Sequence, residues 1–311
     1  MSEILFLLLV GHFIADYWFQ TAKMIERKNS VDNRERQKGL VTHVVIHFLT
    51  YLLLLMFLGE ISSKTILTVF AISIIHYLID FGKVSLEARP TRKKNSIKLF
   101  KQIKHYAETV PGKASLYITD QLLHLMTIIA MLHLFSIIDY RVEQYIHFIE
   151  TLLFTNALTL STLDKLLLIT SLIIFTTHFS GYLIGILLTN IRPTDSTFTE
   201  ARTENKNIMT LKHKKKEVEE ESTVENVIIQ TSYSEPSFEV GRYIGMLERL
   251  IIMILVAMNA FTGITFLVAT KALTRFKQFE DKRFAEYYLI GSLLSILLAL
   301  GSGYLLLKII S

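Results

Sequence analysis

The sequence predicts an all-α, polytopic membrane protein, a bundle of about six to eight transmembrane helices. Hydrophobic residues make up 51% of the 311 residues. They are gathered in blocks of roughly 17–25 residues, which is the length that crosses a bilayer core. Glycine (13 residues) and proline (4 residues) are scarce. This composition favours helices over the alternating segments of about ten residues that form a transmembrane barrel.

Seven blocks are long enough to cross a membrane, and we predict spanning helices there. The first block, MSEILFLLLVGHFIADYW, has no basic start and no small-residue cleavage site, so it predicts a retained helix rather than a cleaved signal. Residues 147–161 are too short to span and are expected at the membrane interface. The predicted spans are roughly 3–19, 41–58, 64–82, 116–137, 165–190, 243–269 and 286–308.

The charges of the loops predict the orientation. The segment 20–40 holds six Lys and Arg against three acidic residues, and 83–114 holds nine against two. Because basic loops stay in the cytoplasm, we expect both there, with the N-terminus outside a bacterial inner membrane. The basic segment 270–285 conflicts with this scheme, since one crossing at 243–269 would place it outside. Either 147–161 crosses after all, or one later segment is re-entrant.

These patterns predict four parts of the chain. Residues 1–140 form a four-helix transmembrane module, and 141–191 hold the interfacial segment and one further span. Residues 192–239 are polar, with a basic run followed by an acidic run, and predict a cytoplasmic linker that could bind a cytoplasmic protein or support a homo-oligomer. Residues 240–311 form a C-terminal membrane module.

Paired ionisable residues occur in each of the first four predicted helices. Every pair is spaced i,i+4, which puts both side chains on one helix face. With the predicted orientation, the pairs of all four helices fall at one depth near the cytoplasmic surface. The pairs are His12 and Asp16, His43 and His47, His76 and Asp80, and Asp120 and His124.

Eight such groups predict a metal site. A charged residue at mid-bilayer costs about 2.5–3.5 kcal/mol, so the groups must satisfy each other or bind something. Imidazole and carboxylate are ligands of Zn, Mn and Fe(II), and the chain has no cysteine for a thiolate site. We therefore expect all eight to be ligands of one or two divalent ions, Zn being the first choice and Mn or Fe the alternatives.

Polar neighbours of these residues are predicted to support the site. Gln20 and Gln121 lie beside the aspartates as hydrogen-bond partners, and three lysines flank the cytoplasmic mouth, where they could hold phosphate. His133 falls on the opposite face of its helix from His124, and we predict no role for it. The flanking lysines are Lys23, Lys38 and Lys83.

The motifs resemble a known family. The runs GHFIADYWFQTAKMIERK, LVTHVVIHF, HYLIDFGK and ITDQLLHL are similar to the bacterial membrane family catalogued as domain of unknown function 3307, over about residues 1–135. Its longer members also have a tail like GRYIGMLERL and RFKQFEDKRFAEYYLIGSLLS. The resemblance implies no settled activity. By analogy, the pattern is similar to that of LexA-regulated inner-membrane metal-dependent hydrolases.

Three functions remain open from the sequence. The first is a metal-dependent hydrolase at the cytoplasmic face, acting on a phosphoester or lipid, with Asp16 or Asp120 as the general base. The second is a divalent-cation or proton transporter. The third is a membrane sensor or scaffold with a structural metal. No Walker motif or HExxH is present, which disfavours a nucleotide-driven pump or a zincin, and no specific nucleic-acid binding is expected.

Overall fold

The computed structural model describes residues 3–87, 102, 105–155, 159–192 and 238–311. In these ranges the chain forms eleven α-helices and no strand. A π-helical turn, Phe175–Phe179, joins α7 to α8, and a 3₁₀ turn, Phe276–Glu280, precedes α11. The helices are α1 Glu3–Tyr17, α2 Ala22–Lys28, α3 Asn33–Leu58, α4 Ser63–Glu87, α5 Val110–Leu134, α6 Val142–Phe154, α7 Thr162–Ile174, α8 Ser180–Leu187, α9 Phe238–Ala257, α10 Phe261–Thr274 and α11 Lys282–Ile310.

The prediction of an all-α multi-pass membrane protein is confirmed. Five helices among the described residues are long and apolar enough to cross a membrane: α3, α4, α5, the continuous α7–α8 and α11. The pair α1 and α2 adds a sixth if it is counted as one broken span, since the two helices meet at 85°. The first helix therefore ends before residue 19, the predicted end of the span, and the chain continues at an angle as the separate short helix α2.

Side-chain caps set where the first helices begin. Thr21 accepts a hydrogen bond from the Met24 amide at the start of α2, and Asp32 does the same for the Arg34 amide at the start of α3. Such caps satisfy amides that have no partner within the helix. Gly59 ends α3 with φ +73°, a left-handed conformation that glycine adopts without strain. The bend between α1 and α2 falls at Trp18, Phe19 and Gln20, which lie between the end of α1 and Thr21, the N-cap of α2.

An apolar core fills one half of the bundle formed by α1, α3, α4 and α5. Tyr51 and Leu55 of α3 are fully buried there, and Ile72 of α4 and Ile128 of α5 are 1% exposed. The small Gly11 lets α1 approach α3, because a Cβ atom at this position would lie 3.0 Å from the Tyr51 ring. The members of this core are Leu5, Leu7, Leu8, Tyr51, Leu55, Val69, Ile72, Ile128, Leu132 and Ile138.

The other end of the bundle carries the basic residues, and we call it the basic end. Here α1 and α4 end, α3 and α5 begin, and Lys28 and Lys83 lie. The α7–α8 helix runs parallel to α1, since the Ser161 hydroxyl approaches Glu3 at 3.5 Å while the rings of Tyr17 and Tyr182 stack. The C-terminus of α8 is therefore also at the basic end.

The structure corrects the predicted span 243–269. Two helices, α9 and α10, replace it, and they are separated by a turn in which Asn259 has φ +53°. Helix α10 returns beside α9, because a Cβ atom on Gly263 would lie 2.9 Å from Leu255 and Lys271 reaches Glu248. Residues 270–285 therefore lie on the same side as the start of α9. The charge conflict is resolved by a helical hairpin.

Helix α11 completes the C-terminal part and runs parallel to α9. The Arg249 guanidinium of α9 approaches Ser295, and about two turns further along both helices Val256 lies directly against Gly303. The end of α11 is near the start of α7, where Lys165 donates a hydrogen bond to the Ile310 carbonyl at 3.3 Å. The start of α11 is thus at the basic end.

Two further predictions concern segments between the spans. The interfacial segment predicted at 147–161 corresponds to α6, a helix of 13 residues without a buried side chain. The linker predicted at 192–239 lies, apart from its ends, outside the described residues.

Candidate metal centre

Four helices bring the eight predicted ligands together. Each of α1, α3, α4 and α5 contributes one i,i+4 pair, and all four pairs face the axis of the bundle near its basic end. The aspartates Asp80 and Asp120 are each 5% exposed, and the five histidines are 0–2% exposed. Asp16 is the most accessible, with a side chain 12% exposed. The five histidines are His12, His43, His47, His76 and His124.

The first group of converging ligand atoms comes from α1, α3 and α4. Asp16 Oδ1 lies 3.1 Å from the Nε2 atoms of both His43 and His47, and His43 Nε2 lies 3.2 Å from His76 Nε2. All ligand atoms of these four residues are within 4.8 Å of one another. Around a tetrahedral ion with bonds of about 2.0–2.1 Å, ligand atoms would be about 3.3 Å apart. The observed separations are of that size.

The second group of ligand atoms comes from α4 and α5. It contains His76, Asp80 and His124, and again all ligand atoms are within 4.8 Å. The Asp80 carboxylate lies 3.6 Å from His124 Nε2 and 3.9 Å from His76 Nε2. The rings of His76 and His124 stack with centroids 3.9 Å apart. His76 thus belongs to both groups and joins them into one centre.

Two predicted ligands lie at the margin of this centre. His12 Nε2 is 3.4 Å from Asp16 Oδ2 and 3.3 Å from the Gln121 side-chain oxygen. Asp120 is 3.4 Å from His124 Nε2 and is also paired with Lys83 at 2.8 Å. Neither residue belongs to the two groups, although both contact members of them.

The five imidazole rings contact the other residues of the centre through their Nε2 atoms. The Nδ1 atoms of all five histidines are buried and have no hydrogen-bond partner among the described residues. Buried polar atoms usually have a partner, so five orphaned nitrogens in one place are unusual. Every polar contact of these rings is therefore made through Nε2, the atom that points to the centre.

Positive charge borders the carboxylates at the basic end. Lys28 of α2 reaches Asp80 at 2.6 Å, and Lys83 of α4 reaches Asp120 at 2.8 Å. The Gln121 amide donates a hydrogen bond to Asp16 Oδ2 at 2.9 Å. Among the described residues, Asp16 is the carboxylate of the cluster that has no ammonium partner and contacts only imidazoles and the Gln121 amide, and this favours a cation beside it.

A contact of Lys28 with the cluster was not predicted from the sequence. No local signal marks it, because it arises where the bend after Tyr17 turns the short helix α2 over the bundle and places Lys28, 8% exposed, beside Asp80 of α4. A buried lysine needs a partner, and Asp80 supplies it.

The other predicted supporting residues are placed differently. Gln121 and Lys83 contact the cluster. Lys38 pairs instead with Glu35 of its own helix and has a side chain 63% exposed, and Lys23 is exposed on α2. Gln20 lies in the bend between α1 and α2.

Tyrosines connect the centre to the rest of the bundle. The Tyr17 hydroxyl, next to Asp16 in the chain, shares a hydrogen bond of 2.7 Å with Tyr117 of α5. The Tyr117 hydroxyl also donates to the Phe179 carbonyl of the π-helical turn at 3.4 Å. On α3, Tyr51 continues the face of His43 and His47 and has its ring centroid 5.9 Å from that of His47. These contacts hold α1, α3 and α5 in register around the cluster.

Comparison with known families gives a match to the same helices. Residues 4–153 match the model described as protein of unknown function DUF3307. The chain contains a DUF3307 domain. No curated protein and no solved structure matches the chain.

The DUF3307 domain includes all four pairs and extends through α6. The resemblance stated from the motifs is confirmed and reaches further than residue 135. The match does not include α7–α8 or the helices from α9 onward, so the tail at 241–295 stands outside it. All eight residues of the four pairs thus lie within the matched part of the chain.

Proposed function

We propose that this protein is a membrane-embedded, metal-dependent hydrolase that acts at the cytoplasmic face on a phosphoester or lipid. The observation that carries the proposal is the convergence of two groups of ligand atoms on shared His76. Their residues are imidazole and carboxylate donors, which suit Zn, Mn or Fe(II).

The ligands divide evenly between two ions. Because His76 approaches His43 and Asp80 through Nε2, we assign it to one group only. One ion would then be held by Asp16, His43 and His47, and a second by His76, Asp80 and His124. Each set contains two histidines and one aspartate. Three protein ligands leave a position for water, as catalytic sites require.

A bound divalent ion would supply an activated water and polarise the substrate oxygen. The residues of the chain have separate roles around it. Asp120 lies outside both ligand groups, 3.4 Å from His124, and is therefore the better placed of the two predicted bases. Asp16 is assigned as a ligand. Lys28 and Lys83, paired with Asp80 and Asp120, are the cations that would meet a phosphoryl group.

The location at the cytoplasmic face follows from charge. Lys28, Lys83 and the basic segment 271–283 are at the same end of the bundle as the cluster. Since basic loops remain in the cytoplasm, this end would face the cytoplasm in a bacterial inner membrane, with the N-terminus outside.

The packing beyond the cluster supports a hydrolase over a transporter. The half of the four-helix bundle away from the basic end is filled by the apolar core around Tyr51, Leu55 and Ile72. The hydroxyls of Thr50 and Ser73 in this region donate to carbonyls of their own helices. An ion crossing here would meet no line of free ligands in the described residues.

The proposal is tested by metal analysis and hydrolysis together. Detergent-purified protein, prepared without chelators, is analysed for Zn, Mn and Fe and assayed on p-nitrophenyl phosphate and on phospholipid vesicles. We expect up to two ions per chain in the wild type, loss of the ion held by Asp16 in Asp16→Asn, and retained metal without hydrolysis in Asp120→Asn. His133→Ala is the matched control, because His133 bonds Tyr145 away from the cluster.

Each result has a clear meaning. Bound metal with hydrolysis that is lost in Asp120→Asn supports the enzyme. Bound metal with no substrate turned over, and with only protein atoms as ligands in X-ray absorption spectra, supports the sensor or scaffold with a structural metal. Wild-type protein that neither contains metal nor takes it up on reconstitution would refute the proposal.

A further inference from the structure

A cavity of about 390 Å³ lies in the C-terminal module, away from the metal centre. Helices α9, α10 and α11 and the 3₁₀ turn form its walls. Helix α10 is only 14 residues long and has no buried residue, so it covers α9 and α11 incompletely. Leu289 and Leu293, each 59% exposed, line the opening. The cavity thus opens sideways, on a face of α11 that lies towards the bilayer.

The two ends of this cavity differ in polarity. The apolar end is formed by Ile252, Leu267 and Ile296. At the other end, Lys271 pairs with Glu248 at 2.5 Å and lies 5.4 Å from the centroid of the Tyr288 ring. The lining residues span positions 285–296 of α11, which corresponds to a length of about 16 Å.

The polar end of the cavity is at the basic end of the bundle. The adjoining segment 271–283 has five Lys and Arg against two acidic residues. Of these two, Asp281 is occupied as the N-cap of α11, where it accepts from the Arg283 amide. Once Glu248 and Glu286, the partners of Lys271 and Lys282, are counted, the mouth keeps a small excess of positive charge, and Lys271 is the basic residue that lines the cavity. A basic residue at a membrane surface favours an anionic headgroup.

We propose that this cavity binds an anionic phospholipid. One acyl chain would enter between Leu289 and Leu293 and lie against Ile252, Leu267 and Ile296. The phosphate would lie at the basic end beside Lys271. This arrangement matches a lipid leaflet, since the charged group is at the membrane surface and the chain points inward. The site belongs to the part of the chain outside the DUF3307 match.

The test is native mass spectrometry of the full-length protein in detergent, titrated with phosphatidylglycerol or phosphatidylcholine of identical chains. We expect phosphatidylglycerol adducts at concentrations about tenfold lower than for phosphatidylcholine. Lys271→Gln should remove this preference, while Lys277→Gln, an exposed charge that does not line the cavity, should keep it.

A second pair of variants tests the chain site. Ala272→Phe fills the cavity, and Ala269→Phe adds the same bulk to an exposed position of α10 that is not part of the lining. We expect adducts to be lost only in Ala272→Phe, with Ser292→Phe as the replacement if that variant does not fold. Equal adduct formation in the filled variant and the control would overturn the proposal, as would equal binding of the two lipids to the wild type.

Discussion

The sharing of His76 by both ligand groups leads to a quantitative prediction. His76 lies within reach of both groups but is assigned to the ion held with Asp80 and His124. Replacing it by alanine should therefore weaken that ion and leave the ion held by Asp16, His43 and His47 in place. Metal binding by four-ligand structural zinc sites is worth about 10–16 kcal/mol, or about 2.5–4 kcal/mol for each ligand. At 1.4 kcal/mol per factor of ten, this corresponds to an affinity about 60- to 700-fold lower.

The matched comparison uses residues of the same type on the same bundle. His12→Ala removes an equally buried imidazole that contacts Asp16 but lies outside both groups, and we expect a loss of about tenfold, as for residues that only orient ligands. His133→Ala should have no effect. The affinities are measured by competition with a fluorescent zinc chelator, and the number of ions by elemental analysis of protein that elutes as one folded species.

The reasoning would be refuted by His76→Ala protein that binds the same number of ions as His133→Ala protein with the same affinity. Equal weakening of both ions would contradict the assignment of His76 to a single ion and would show that the two groups share it.

Three further predictions test the packing of the helices. Arg249→Leu should lower the free energy of unfolding by about 3–6 kcal/mol in a denaturant titration in detergent, because two charged hydrogen bonds of 2.7 Å to carbonyls of the π-helical turn are lost; an unchanged midpoint would contradict this. Gly303→Ala should lower the free energy of unfolding by about 1–3 kcal/mol, because its Cβ would lie 2.5 Å from Val256 and force α11 away from α9. Gly301→Ala, whose Cβ would have nothing within 4 Å, should be neutral, and equal melting temperatures of the two variants would contradict the prediction. Lys28→Met should destabilise the metal-free protein by about 3–5 kcal/mol, because Asp80 keeps a buried charge without its partner. Added metal should reduce this loss of stability in thermal unfolding, and a loss that metal leaves unchanged would count against Asp80 as a ligand.

The sequence alone determined the spans and the pairs. Hydrophobic blocks of bilayer length predict helices because an unpaired backbone is too costly in lipid. The i,i+4 spacing then places His43 with His47, and Asp120 with His124, on single faces, whatever the helices pack against. These are local consequences of helix geometry, and the motifs also carried the resemblance that the DUF3307 match confirms.

The tertiary structure decided which of these faces meet and what surrounds them. Lys28 reaches Asp80 only because α1 breaks after Tyr17, and no proline or glycine marks that break in the sequence. The hairpin of α9 and α10 replaces a predicted span because long-range contacts, such as that of Lys271 with Glu248, bring the chain back. The position of His76 between two ligand groups likewise depends on four helices at once. Hydropathy and spacing are properties of one segment, whereas these features arise from contacts between segments far apart in the chain.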